Sequence, residues 1–73
     1  MNKPDWKKAP EWAGWLAQDN DGWWFWWCDK PVVTGDYEDF WMPAEPNPDA
    51  KFDRAGKRGP TPIDWTTTLE PRP

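Results

Sequence analysis

The sequence predicts a small, mainly β protein: a twisted three-stranded antiparallel meander with a long proline-rich loop and room for a fourth strand near the C-terminus. Three observations predict it. Residues 23–27 are five consecutive aromatics, Trp-Trp-Phe-Trp-Trp, and these side chains favour pleated, half-buried surfaces. The preceding Asp19-Asn20-Asp21-Gly22 gathers the residue types that tolerate positive φ and make tight hairpin turns. Prolines at 43, 46, 48, 60 and 62 exclude a central strand or a long helix from the stretch they punctuate.

Residues 1–9 are polar and read as a flexible arm, with Trp6 placed to dock back. Pro10-Glu11 suits a single helical turn, since proline is favoured at a first helical position. A strand is expected over about residues 15–19. After the Asp19–Gly22 turn the aromatic run forms a second strand to about Cys28, which Lys30-Pro31 ends. Thr34-Gly35-Asp36 is a further turn, and residues 38–42 read as the third strand, stopped by Pro43. Residues 10–43 are thus the core meander and residues 44–62 a proline-rich loop. Residues 63–69 recover β-propensity, with Ile63, Trp65 and Leu69 as anchors onto the sheet. Together residues 10–69 make one domain, and residues 70–73 are a tail.

Successive side chains in a strand point to opposite faces. Trp23, Phe25 and Trp27 therefore share one face, and Trp24, Trp26 and Cys28 the other. A chain of 73 residues with nine tryptophans but only five Leu, Ile and Val residues must pack with indoles. At this size aromatic burial and the entropy of ordering the chain nearly cancel. The expectation is that one face is covered and that the second needs an oligomer or a partner.

Charge is uneven. Residues 1–10 carry +2, residues 11–49 carry −8, residues 50–58 carry +3 and residues 59–73 carry −1. An acidic aromatic centre disfavours nucleic acid, because phosphate binding needs basic surface. Cys28 is the only cysteine and there is no histidine. The chain thus lacks the disulfides usual in small secreted domains and the commonest general base and metal ligand. No apolar run is long enough for a membrane span, and the N-terminus lacks the apolar core of a signal peptide. The expected location is the cytoplasm.

Few constellations suggest chemistry. The Asp19–Gly22 run starts like a calcium loop, but the spacing and flanking helices of an EF-hand are missing, and a hairpin turn accounts for every residue. Asp36, Glu38 and Asp39 form a carboxylate cluster beside Tyr37 that reads as solvated charge rather than a catalytic pair. Cys28 has no histidine to activate it. No catalytic residue, metal or cofactor is expected. Exposed aromatic patches, in contrast, mark interaction sites, and tryptophan is enriched at binding hot spots. The expected contact surface is Trp24, Trp26 and Trp41, with Asp36, Glu38 and Asp39 supplying charge complementarity.

Two resemblances bear on this reading. Trp15, Trp24 or Trp26, then Trp41 and Pro43, resemble the layout of the WW domain, a three-stranded aromatic sheet with two signature tryptophans and a late proline. Here the tryptophan spacing is longer, the end is Trp-x-Pro, and the central histidine is missing. Residues 10–43 more closely resemble small uncharacterised proteins of tailed phages and prophages. Their phrase is W-A-x-W-x-A-x-D-x-D-G-x-W-W, matched here from Trp12 to Trp24 with Phe25 at its last position, and followed by Lys30-Pro31 and Trp41. That resemblance implies expression in a bacterial host. It favours a non-enzymatic protein that binds and modulates a bacterial host protein, with inhibition of an anti-phage defence as one form. Two alternatives stand beside it: aromatic stacking that sequesters a nucleotide-like ligand, and a structural or homo-oligomeric phage protein.

Overall fold

A computed structural model describes residues 3–33, 40–44, 50–56 and 58–73. The chain is mainly β. Its strands are β1 (Trp15–Gln18), β2 (Trp24–Trp27), β3 (Pro31–Val32), β4 (Met42–Pro43), β5 (Phe52–Arg54) and β6 (Glu70–Pro71), with single 3-10 turns at Trp6–Lys8 and Trp65–Thr68. A four-stranded antiparallel sheet runs in the order β5-β2-β1-β6, and β3 and β4 form a separate two-stranded ladder.

The β1–β2 hairpin is the one the sequence predicts. Trp15 lies opposite Trp27, Leu16 opposite Trp26, Ala17 opposite Phe25 and Gln18 opposite Trp24. The turn closes as Asp19 N–H donates to the Trp23 carbonyl and Gly22 N–H to the Asp19 carbonyl. The Asp21 carboxylate accepts from Trp23 N–H. Gly22 has φ +96°, and a Cβ there would lie 2.4 Å from the Gly59 carbonyl oxygen, so both conformation and space demand glycine.

Alternation along β2 sorts the aromatics as expected. Trp24 and Trp26 pack with Ala13, Leu16 and Ala55, while Trp27 packs with Ala17, Trp41 and Trp65, bordered by Phe25. The expectation that one face stays open is overturned: both are covered. The N-terminal segment does this for the Trp24–Trp26 face through Trp6, Ala9 and Trp12. Trp6 reaches Trp26 at 4.9 Å between ring centroids, and its turn is capped by the Asp5 carboxylate accepting from Lys7 N–H. Trp6 thus docks back as expected, with Ala9 half-buried beside it, while Asp5, Lys7 and Lys8 of the same segment stay exposed. The other face is closed by Trp41, Trp65, Val33 and Leu69. Few Leu and Val residues do not prevent two cores, because each indole covers about 150–250 Å².

Three strand assignments change. The third strand on β2 is Phe52–Arg54, paired through Phe25–Arg54, Trp26–Asp53 and Trp27–Phe52, and it lies inside the stretch expected to be a proline-rich loop. All three of its residues are exposed, so no apolar alternation marks it; it forms because the far edge of β2 needs backbone partners. The strand expected over residues 38–42 is seen only as Met42–Pro43, pairing with Pro31–Val32; residues 38 and 39 lie outside the described residues. A C-terminal strand is present, but at Glu70–Pro71, in the expected tail. Residues 65–68 instead turn, because the Asp64 carboxylate caps Thr66 N–H. Trp65 is buried and Leu69 half-buried as anchors, but Ile63 stands fully in solvent. The predicted small antiparallel β fold with a fourth strand near the C-terminus is thus present, but its third strand comes from residues 52–54 and not from residues 38–42. Among the described residues no helix is long and apolar enough to cross a membrane.

Candidate functional site

The tryptophans expected to form a contact surface are core residues. Trp24, Trp26 and Trp41 are 8 %, 5 % and 7 % exposed. They are also separated, since the first two lie on one side of the sheet and Trp41 on the other. Asp36, Glu38 and Asp39 lie outside the described residues. The correction has a physical cause: each indole has a dedicated partner segment that excludes water, and Trp41 is held by polar bonds as well.

Those bonds centre on Gln18 and Asp19, at the end of β1. In an antiparallel ladder alternate residues direct their backbone groups to one neighbour. Leu16 and Gln18 thus face the β6 side, as does the Gly14 carbonyl, while the Gly14 N–H donates to the Trp27 carbonyl. The Gly14 carbonyl accepts from Arg72 N–H, and Leu16 pairs with Glu70. Beyond the end of β6, side chains complete the edge. Gln18 N–H donates to the Thr68 hydroxyl at 2.9 Å, and the Gln18 carbonyl accepts from the Trp41 indole N–H at 2.9 Å. The Gln18 side chain is fully buried, and its amide N–H₂ group lies 3.1–3.3 Å from the carbonyls of Gly22, Gly59 and Pro60. One glutamine therefore joins the hairpin turn, the 58–60 segment, the Trp65–Thr68 turn and Trp41.

Asp19 completes this junction. Its carboxylate accepts from Trp41 N–H at 2.9 Å. Burial raises its pKa to about 6, offset in part by the Trp41 hydrogen bond and reinforced by the nearby Asp21 charge. The raised pKa reflects a charge-bearing group withdrawn from water.

Asp19 also lies at the edge of an open hollow of about 420 Å³, bounded by Phe25, Trp27, Phe40, Met42, Pro43 and Phe52. A second hollow of about 210 Å³ shares Trp27, Pro43 and Phe52 and continues to Ala44, Ala50 and Lys51. The shared wall makes one apolar surface. Phe40 and Phe52 are 45 % and 54 % exposed there. Phe52 stacks on Trp27 at 4.9 Å with an interplanar angle of 21° and contacts Phe25 at 6.3 Å. The Trp27 indole N–H beneath is buried with no acceptor among the described residues.

This surface was not legible in the sequence. Phe40 stood in an expected strand, and Phe52 is a lone aromatic between Lys51 and Asp53 in a charged stretch. Its isolation there was the only signal. Comparison with protein-family models, with curated proteins and with solved structures gives no match.

Proposed function

We propose that the chain is a small non-enzymatic interaction protein that docks a partner protein on the apolar surface of Phe40, Met42, Pro43 and Phe52. The observation that carries this reading is the contrast in burial. Most of the indoles are spent in two closed cores, yet Phe40 and Phe52 are left in solvent on the wall of one hollow. Exposed aromatics gathered around a concavity are the usual anchor points of a protein interface. The strongly acidic stretch of residues 11–49 favours a partner whose apolar contact is rimmed by basic residues. The phrase shared with small tailed-phage proteins supports a bacterial host protein as that partner. Modulation of its activity, including inhibition of an anti-phage defence, would be the consequence, and the host cytoplasm the place.

The test is affinity capture from bacterial lysate with the native chain, with Phe40→Ser/Phe52→Ser, and with Ile63→Ser as an exposed apolar control away from the hollow. A partner held by the native chain and by Ile63→Ser, but lost by the double variant, is the expected result. A partner retained by the double variant would overturn the reading.

A further inference from the structure

Strand alternation gathers rings and a carboxylate on one side of the sheet. Trp15 and Ala17 of β1 share that side with Phe25 and Trp27 of β2, and the register brings Phe52 opposite Trp27. Asp19, two residues beyond Ala17, borders the same open hollow of about 420 Å³ as Phe25, Trp27, Phe40, Trp41 and Phe52. Among the described residues that border it, the hollow thus has five aromatics, one carboxylate and no basic side chain.

The chain's own cations on this side are engaged elsewhere. Lys30 Nζ lies 5.6 Å from the centroid of the Trp15 ring, and the Arg54 guanidinium 4.1 Å from that of Trp23. Lys51 borders the adjoining smaller hollow and not this one. The fold therefore already sets cations over rings, yet the rings around the larger hollow carry none among the described residues. Phe40 and Phe52 are open to solvent there and Phe25 is half-buried, while Trp27 and Trp41 are buried. The Asp19 carboxylate is withdrawn from water with no cationic side chain beside it among the described residues. Its one hydrogen bond from Trp41 N–H leaves acceptor capacity on the group. A cation in the hollow would favour its charged form and offset the desolvation.

We propose that this hollow takes an arginine side chain of the partner protein, with its guanidinium stacked on the exposed aromatic wall and reaching the Asp19 carboxylate, and its methylene stem along Met42 and Pro43. The inference rests on the docking surface proposed above and names the residue that anchors it. Arginine suits the hollow better than lysine, because a planar guanidinium is weakly hydrated and stacks on rings, whereas an ammonium is compact and strongly hydrated. Arginine stems also pack on apolar surface, and arginine is enriched among interface anchors. The −8 carried by residues 11–49 draws such a residue in.

The experiment follows the Phe40 and Phe52 ring signals of the isotope-labelled chain by NMR at pH 7.5, where Asp19 is ionised. Capped Gly-Gly-X-Gly-Gly peptides are added, with X arginine, lysine, leucine or citrulline, the last a neutral isostere of arginine. Saturable shifts with the arginine peptide are expected, at an affinity about tenfold above that of the citrulline and lysine peptides. Asp19→Asn should weaken the arginine peptide by about tenfold, the effect of one lost charge-assisted contact, and leave the citrulline peptide unchanged. Phe52→Leu keeps apolar bulk but not the ring; it should weaken the arginine peptide by about threefold and leave the leucine peptide unchanged. The Trp24 indole signal, in the opposite core, reports that each variant is folded, and if Phe52→Leu loses it, Asp19→Asn carries the test. Silence towards the arginine peptide, equal binding of the citrulline or lysine peptide, or undiminished affinity in folded Asp19→Asn would each overturn the inference. Tightest binding of the leucine peptide would overturn it too while leaving the apolar docking surface in place, since the lysate capture alone decides that reading.

Discussion

The β1–β2 hairpin and the segments that wrap it are assembled by different rules. In the hairpin, side chains decide. Period-two alternation sends Trp24 and Trp26 to one core and Trp27 to the other, with Phe25 at its border, and Asp21-Gly22 sets the turn. In the wrapping segments, backbone and polar groups decide. Phe52–Arg54 joins the sheet with every residue exposed, and residues 58–72 attach through the Gln18 amide, the Thr68 hydroxyl and Arg72. The difference teaches that a tryptophan-rich hairpin supplies the apolar area of a small fold, while a few buried polar groups determine which segments come to cover it.

The comparison breaks most sharply at Gln18. Gln18→Ala removes the two N–H donors shared among the Gly22, Gly59 and Pro60 carbonyls, while the Gly22 carbonyl keeps Gly59 N–H. At about 1 kcal/mol for each neutral hydrogen bond, the loss should be about 2 kcal/mol, or roughly 8–16 °C in Tm at 4–8 °C per kcal/mol for a domain of this size. Thermal unfolding by circular dichroism measures it. Amide exchange should rise first in residues 58–72 and later in the hairpin; uniform loss of protection would show that the two regions are not separately secured.

Asp19 sharpens the comparison through pH. The folded chain holds this proton to about pH 6, against 3.8 for an ordinary aspartate. Between those values the folded state binds more protons than the unfolded state, so stability falls as pH rises through the window. The contribution is fully present below about pH 4 and lost above about pH 6. Asp19→Asn keeps an acceptor for Trp41 N–H and cannot ionise. It should flatten the Asp19 contribution to the pH profile and raise stability at pH 7.5 by about 1–2 kcal/mol. Urea titrations at pH 4 and pH 7.5 test both effects.

The smallest of these effects is expected at Arg72. Its guanidinium Nη1 lies 2.7–3.3 Å from the carbonyls of Pro10, Glu11 and Ala13, latching the C-terminal strand to the turn before β1. Arg72→Ala should cost about 1 kcal/mol, because the latch is largely exposed. A urea midpoint unchanged from the native chain would remove the latch from the account.

These particulars explain what the sequence disclosed. The hairpin, its turn and the division of the aromatics between faces were legible, because alternation and turn chemistry are local. Phe52–Arg54 was hidden because an edge strand answers to the unpaired backbone of β2 and not to its own side chains. The turn at Trp65–Thr68 was masked by the β-propensity of three threonines, although Asp64 stood in capping position before them. The error at the candidate site had one source. Alternation alone places Trp24, Trp26 and Trp41 on a surface because the residues that cover the sheet, Trp6, Ala9 and Trp12 on one side and Val33, Trp65 and Leu69 on the other, carry no periodic signal that announces them. Once those residues close over the indoles, only Phe40 and Phe52 remain as exposed aromatics of the described surface.

That distribution of exposure is the central claim, and a soluble paramagnetic agent tests it most directly. NMR relaxation of ring signals in the free chain should leave Trp24, Trp26 and Trp41 shielded while Phe40 and Phe52 broaden strongly, with the Ile63 methyl signals as a fully exposed reference. Broadening of the three tryptophans to the level of Phe40 and Phe52 would contradict the account and return the contact surface to the indoles.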